Sequence, residues 1–286
     1  MTRMRIAGFA ALLGALGLAA CGGGDGGSGG GATPGGMKQA AGTPEGTVSL
    51  TGAGATFPYP IYSKWFSTYG AQNPVRVTYG SIGSGGGIRQ VTEKTVDFGA
   101  SDAPMNEEEL AKAPGMLHIP TVLGAVAVTY NLPEVRQPVR LDGEVLGAVF
   151  LGEVKKWNDP RIARLNPGVA LPDRDVLVVY RTDGSGTTYV FTDYLSAVSP
   201  AWKQRVGTGK SVQWPTGLGA KGNEGVAGQV KQTPGAVGYV ELAYARQTGL
   251  PAAAVQNRAG QFVEPSVEAT TAAAEGLAAR LGPGSD

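Results

Sequence analysis

Val176-Leu-Val-Val-Tyr-Arg181-Thr-Asp183-Gly-Ser185-Gly-Thr187-Thr-Tyr-Val-Phe-Thr-Asp-Tyr-Leu195 reads as a β-branched strand, a glycine- and hydroxyl-rich turn, and then a helix. That succession is the repeating unit of an α/β architecture with mainly parallel strands. Two further turns, Gly52-Ala-Gly-Ala-Thr56-Phe57 and Ser81-Ile-Gly-Ser84-Gly-Gly-Gly87, also follow a β-like run and open a helix-like one. A helix start exposes N–H groups without intrahelical partners, the macrodipole adds positive potential, and glycine lets a ligand reach the main chain. Three such starts could surround a tetrahedral oxyanion. Open α/β sheets bind ligands at the carboxyl ends of their strands, where these turns lie.

Outward from the turns, strands are expected at Val48 to Leu50, Val75 to Tyr79, Val96 to Ala100, Val122 to Tyr130, Val176 to Arg181 and Ala236 to Val240. Helices are expected at Pro58 to Tyr69, Gly86 to Thr92, Asn106 to Ala111, Val145 to Leu151, Thr187 to Leu195, Pro200 to Val206 and Glu224 to Lys231. Asn106 followed by three glutamates, and Ser199 before Pro200, are start signals. The apolar stretch Thr121 to Tyr130 reads as a long strand crossing between two halves, and His118 as the buried start of a strand. Lys155-Lys-Trp157-Asn-Asp159 reads as a solvated helix end, with Arg161, Arg164 and Pro167-Gly168 at the surface. No internal repeat is visible.

The first 46 residues are of another kind. Residues 1–20 carry Arg3 and Arg5 and then an apolar run from Ile6 to Ala20, too short to span a bilayer and built like a secretory signal. The junction Leu18-Ala19-Ala20-Cys21 looks like a bacterial lipobox, with Cys21 as the lipidated first residue; the competing reading is an ordinary signal peptide cut near Ala20. Cys21 is the only cysteine, so neither a disulfide framework nor a thiolate metal site is available. Residues 21–46, nearly half glycine, cannot support a core and read as a tether with an r.m.s. span of about 25 to 30 Å. The chain has 24 basic against 23 acidic side chains, and removal of Arg3 and Arg5 leaves 22 against 23. A near-neutral protein has no basic field for nucleic acid, so any anion it holds must be gripped locally.

Among the candidate site residues, Thr56 and Phe57 precede Pro58, so the turn presents a hydroxyl and a backbone donor together. Thr56 taken alone also fits a simple helix cap, and so does Ser84, although the three glycines after Ser84 are costly in chain entropy and suit close approach of a ligand. In the third turn Arg181 supplies a permanent fork of donors that Asp183 is placed to orient, and Ser185, Gly186 and Thr187 offer hydroxyl and N–H groups. Asp102, in Asp97-Phe-Gly-Ala-Ser-Asp102-Ala-Pro104, either begins a turn before the proline or faces the anion. In the second case its carboxylate only accepts hydrogen bonds, so the ligand must carry a proton. Hydrogen phosphate and dihydrogen phosphate do; sulfate does not.

In this order, Thr51-Gly-Ala-Gly-Ala-Thr56-Phe-Pro, Asp97-Phe-Gly-Ala-Ser-Asp102-Ala-Pro and Asp183-Gly-Ser-Gly-Thr187 resemble the extracytoplasmic phosphate-binding proteins of bacterial phosphate ABC transporters. The likeness runs from about Val48 to about Tyr244 and takes in Leu151-Gly-Glu-Val-Lys-Lys-Trp157, Trp214-Pro, Lys221-Gly-Asn223 and Pro234-Gly-Ala-Val-Gly-Tyr-Val240. It implies a two-lobed, hinged periplasmic-binding fold of class II type, with a first lobe over residues 47–122, a second over 123–240, and 241–286 returning toward the first. Carried over by position, Thr56, Phe57, Ser84, Asp102, Arg181, Ser185, Gly186 and Thr187 resemble the phosphate-binding residues, with Asp183 behind Arg181. The resemblance further implies a monomer, held by a lipid anchor in the periplasm or on the outer cell surface. Such a protein delivers phosphate to membrane-embedded permease subunits and has no cofactor, metal or catalytic residue. One departure stands out: the family's segment beyond the equivalent of Glu264-Pro265 is long, whereas here residues 266–280 suffice for one helix, so an incomplete first lobe is expected.

Other chemistries fit poorly. Gly207-Thr-Gly-Lys-Ser211 resembles a nucleotide-binding loop, but position 204 is Gln where that loop needs glycine. A serine hydrolase built on Ser185 would need a base, and His118 is the sole histidine; the nucleophile elbow also requires glycine where Asp183 stands. The rivals to a transport receptor are a secreted phosphatase or phosphoryl-transfer enzyme, which needs a nucleophile or metal beside the anion, and a shortened relative with impaired binding.

Overall fold

Each of the three glycine–hydroxyl turns joins a strand to a helix in the computed structural model, which describes residues 46–276. The signal segment, Cys21 and all but the last residue of the tether lie outside the described residues, as do 277–286. The first turn links β1 (Val48–Gly54) to α1 (Tyr59–Gln72), and the second links β2 (Val75–Ser81) to α2 (Ser84–Thr92). With β3 (Phe98–Ala100) these strands form an all-parallel sheet in the order β2-β1-β3, registered Val48 to Val75 and Gly52 to Phe98. One small core gathers Ala55, Tyr62 and Ala100 with Phe57, Phe66 and Tyr79. Another gathers Ile88, Met105 and Ala113 beside α3 (Glu107–Lys112). The predicted start of α3 is a full capping box: Asn106 accepts from the Glu109 N–H while Glu109 accepts from the Asn106 N–H.

A second sheet has the order β4-β8-β6-β7, from β4 (Val126–Tyr130), β8 (Ala236–Glu241), β6 (Leu177–Arg181) and β7 (Leu218–Ala220). Here β6 is parallel to both neighbours and β4 runs antiparallel to β8. Its helices are α4 (Gly143–Phe150), α5 (Pro160–Leu165), α6 (Gly186–Val198), α7 (Pro200–Arg205), α8 (Gly222–Gln232) and α9 (Leu242–Thr248). The core between them is far larger. Phe150, Phe191, Trp202, Trp214 and Tyr239 form a continuous aromatic cluster, with Phe191 stacked on Tyr239 at 4.4 Å between centroids. A small third sheet joins β5 (Arg140–Leu141), β9 (Ala254–Gln256) and β10 (Phe262–Val263), and α10 (Val267–Glu275) follows, capped by Ser266. The predicted α/β class holds, and the helix expected within 266–280 is present as α10.

Three sequence expectations fail. The strand predicted from Val122 begins only at Val126, because β8 pairs with Val126–Tyr130 alone; Leu123 upstream is 63 % exposed. His118 is an exposed loop residue that accepts from the Met105 N–H, not the buried start of a strand. Trp157 is buried and donates its indole N–H to the Gly235 carbonyl at 2.9 Å, and the stretch around it is not helical, although Lys155, Lys156 and Asn158 are exposed as expected. Helix α5 lies in a stretch for which no helix is expected, and Arg161, Arg164, Pro167 and Gly168 are at the surface as the sequence reads. Asp159 caps it, Pro160 opens it, and Ile162 is its buried anchor.

Candidate functional site

The second sheet supplies the cation. Arg181 ends β6 and is almost fully buried. Its Nε donates to Asp183 Oδ1 at 2.8 Å and its Nη2 to Asp183 Oδ2 at 2.5 Å, a fork-on-carboxylate pair. Asp183 Oδ1 also accepts from the Gly222 N–H at 3.1 Å. Burial pushes the Asp183 carboxyl up, but the hydrogen bond and charge of Arg181 and the Gly222 amide together hold it below the usual carboxylate range. The Arg181 N–H donates to the Tyr239 hydroxyl, which shares a 2.7 Å hydrogen bond with Thr188 Oγ1, so the arginine is fixed from behind. With Nε and Nη2 committed to Asp183, Arg181 Nη1 is a buried donor with no partner. A buried donor in a folded protein is normally satisfied, so an orphan of this kind marks a place for an acceptor.

The start of α6 lies beside it. Ser185 Oγ caps the helix by accepting from the Thr188 N–H at 3.0 Å, and the Ser185 N–H donates to the Lys210 carbonyl at 2.9 Å. Across from it, Ser84 Oγ accepts from the Gly186 N–H at 3.0 Å and from the Asp102 N–H at 3.4 Å. Thr187 Oγ1 donates to Asp102 Oδ2 at 3.1 Å. Gly186 must be glycine, since a Cβ there would sit 2.6 Å from the Asp102 Cβ and 2.7 Å from Ser84 Oγ. Gly83, at φ 88°, is equally constrained: a Cβ would meet Asp183 Oδ2 at 2.3 Å.

Thr56 proves not to be a helix cap, because α1 is preceded by Pro58 and has no side-chain cap. Its Oγ1 accepts from both the backbone N–H and the side-chain amide of Asn223, at 3.1 and 2.7 Å, and its carbonyl accepts from the Tyr244 hydroxyl at 2.5 Å. A hydroxyl has one hydrogen and two lone pairs. In Thr56 and in Ser84 both lone pairs are taken by N–H donors, so each hydroxyl can only donate to a further partner. The site thus converts two ambidextrous hydroxyls into donors, and Gly83, next to Ser84, and Gly222, next to Asn223, both lie against the Asp183 carboxylate that holds Arg181.

One acceptor interrupts this set. Burial pushes the Asp102 carboxyl up to about 6, against the hydrogen bond from Thr187 and the charge of Arg181, which lower it. A carboxylate among donors recognises an anion that keeps a proton and repels one that does not.

The structure brings together Thr56, Ser84, Asp102, Arg181, Asp183, Ser185, Gly186 and Thr187. Phe57 adjoins Thr56, with its ring in the first core. Sequence reasoning missed Asn223, Tyr239 and Tyr244. Asn223 did fall in one of the blocks carrying the resemblance, Lys221-Gly-Asn223, but no local chemistry marked it. Among the described residues no group of three His, Cys, Asp or Glu side chains could hold a metal ion.

Residues 40–284 match the family model described as PBP superfamily domain. The phosphate-binding protein PstS of Pasteurella multocida is 56 % identical over 227 residues, covering 79 % of this chain and 66 % of its own length. The PstS of Haemophilus influenzae is 53 % identical, covering 79 % and 68 %. The chain therefore spans about two thirds of the length of these curated relatives. A solved high-affinity periplasmic phosphate-binding protein, PfluDING, bound with phosphate, superposes with a TM-score of 0.60 at 22 % identity, covering 79 % of this chain and 67 % of that one. At that identity the superposition speaks for the fold.

Proposed function

Because this chain belongs to the PBP superfamily and, within it, to the PstS phosphate-binding proteins, we propose that it binds inorganic phosphate reversibly between its two large sheets and hands it to an ABC-type permease. The observation that carries the reading is the buried, unpartnered Nη1 of Arg181, set beside the start of α6 and the donor-only hydroxyl of Ser84. In this reading the hydroxyls of Thr56, Ser84 and Ser185, the backbone N–H groups of Phe57 and Thr187, and Arg181 donate to the phosphate oxygens, Gly186 lines the site and holds Ser84 through its N–H, and Asp102 accepts the remaining phosphate proton. The halves 47–122 and 123–240 act as two lobes that close over the ion. The N-terminal segment exports the chain and anchors it through Cys21 on the outer side of a membrane, where it works as a monomer. No helix among the described residues is long and apolar enough to cross a membrane.

Isothermal titration of the purified chain with phosphate tests this. One phosphate per chain is expected, sulfate in large excess should leave the titration unchanged, and phosphate esters should not be turned over. Displacement by sulfate at comparable concentration would remove the role given to Asp102, and sustained ester hydrolysis would favour a phosphatase.

A further inference from the structure

The geometry points to Asn223 as a positioning residue that sets the hydroxyl of Thr56 for phosphate and holds that of Thr187 on Asp102, and does so only when the two halves are together. The inference rests on the phosphate reading and adds to it a residue that does not itself touch the ion.

Asn223 is fully buried at the start of α8. Its Oδ1 accepts from the Glu241 N–H at 2.9 Å, which fixes the orientation of the amide, since an N–H can face only the oxygen end. The opposite end, Nδ2, donates to Thr56 Oγ1 at 2.7 Å and to Thr187 Oγ1 at 3.3 Å. The Asn223 backbone N–H adds a second donor to Thr56 Oγ1 at 3.1 Å. One residue thus reaches a hydroxyl beside the first sheet, a hydroxyl on α6, and the end of β8.

Two consequences follow. With both lone pairs of Thr56 Oγ1 occupied by Asn223, the Thr56 hydrogen cannot turn inward and is available only to an outside acceptor. Thr187 accepts one bond from Asn223 and spends its hydrogen on Asp102. Without Asn223 the Thr56 hydroxyl regains a free rotor and a lone pair that can face an anion, which is repulsive. The bond to Thr56 also exists only while α8 and the turn after β1 are in contact, so closure and donor polarity are one event. Asparagine suits the position because it offers an acceptor and a two-hydrogen donor on opposite sides of one planar group. Aspartate of equal size would offer acceptors on both.

The test is a double-mutant cycle on phosphate affinity in the full chain, with Asn223→Ala, Thr56→Val and the combination, each checked for thermal unfolding. Asn223→Ala should weaken binding by about 10- to 100-fold, chiefly by faster phosphate release, the size expected when a buried polar network loses one member. The double variant should be little weaker than Thr56→Val alone, because Asn223 has no hydroxyl left to set there, whereas Thr56→Ser should preserve the full effect of Asn223→Ala. If Asn223→Ala does not fold, Asn223→Ser, too short to span the two threonines, takes its place in the same cycle. Effects of the two changes that simply multiply, in wild-type-like folded proteins, would overturn the inference while leaving phosphate binding intact. Failure of the wild type to bind phosphate would instead overturn the underlying reading.

Discussion

The two sheets contribute comparably to the site, yet they are built unequally. Around the second sheet, a core of aromatic and aliphatic side chains surrounds Trp157, Trp202, Tyr130 and Tyr239, all fully buried. Around the first, three buried residues, Ala55, Tyr62 and Ala100, carry one core, and Val48, Leu50, Trp65 and Tyr69 are exposed. The difference in support is matched by a difference in who holds what. Arg181 and Ser185 are fixed by their own half, through Asp183, Gly222, Tyr239 and Thr188. Thr56 and Ser84 are fixed by the other half, through Asn223, Tyr244 and Gly186. A strongly packed half can preorganise its own ligands, and the weakly packed half borrows orientation from it.

The largest expected effect separates the two cores. Trp202→Ala should cost about 3 to 5 kcal/mol in chemical unfolding, since it removes a fully buried indole packed on Trp214 at the edge of the aromatic cluster. Trp65→Ala, at a side chain that is 43 % exposed, should cost about 1 kcal/mol or less. Equal costs would show that the first half is better supported than its buried residues suggest.

Next in size is a pH effect at the junction. Because burial raises the Asp102 carboxyl to about 6, the folded protein keeps that proton where the unfolded chain, near the ordinary 3.8, has lost it. The Asp102 contribution is therefore intact below about pH 4, declines as pH rises toward 6, and levels off above it; a shift of this size corresponds to about 2 to 3 kcal/mol. Without phosphate, Asp102→Asn should match wild type near pH 4 and be more stable above pH 6, read as the difference between two thermal unfolding series. A difference that does not change with pH would mean that the carboxylate is solvated in the unliganded protein.

Smaller still is the borrowed anchor of Thr56. Tyr244→Phe leaves the Thr56 carbonyl without its hydroxyl donor in a buried setting, which should cost about 1 to 2 kcal/mol of stability. Phosphate affinity should fall with it, because the turn carrying Thr56 and Phe57 loses its fixed height. Tyr79→Phe removes a comparable bond within the first half, to the Ala55 carbonyl, and serves as the internal comparison.

How much of this was legible in the sequence follows the same division between local and distant support. The three turns could be read because their chemistry is local: Arg181 and Asp183 are two residues apart, and each glycine–hydroxyl run sits between its strand and its helix. Asn223 and Tyr244 could not be read as partners of Thr56, since they lie 167 and 188 positions further along the chain and no pattern in either neighbourhood encodes the meeting. Trp157 was misread because Lys155, Lys156, Asn158 and Asp159 beside it are solvent-seeking, while one indole turns inward to the Gly235 carbonyl. The stretch from Thr121 to Ala125 has strand-like composition but no strand beside it, and composition alone does not supply a partner.

The least costly contact in this comparison is the ion pair between Lys210 and Glu109. Lys210 Nζ lies 2.6 Å from Glu109 Oε2, joining the loop whose carbonyl holds the Ser185 N–H to the capping box of α3 on the first half. Both side chains are largely shielded, at 17 % and 25 % exposure, so the pair is worth more than a surface bridge but is still reached by solvent. Lys210→Met should cost no more than about 1 kcal/mol in stability and should raise the rate of phosphate release several-fold. The wild-type release rate should climb with added salt, and the rate for Lys210→Met should climb less. The backbone bond to Ser185 survives this change, so the variant isolates the side chain's share in holding the halves together. If release is unchanged, closure depends on the hydrogen bonds made by Asn223, Tyr244, Gly186 and Thr187 and by the Gly85 N–H to the Gly184 carbonyl, and the first half borrows its order entirely through such bonds.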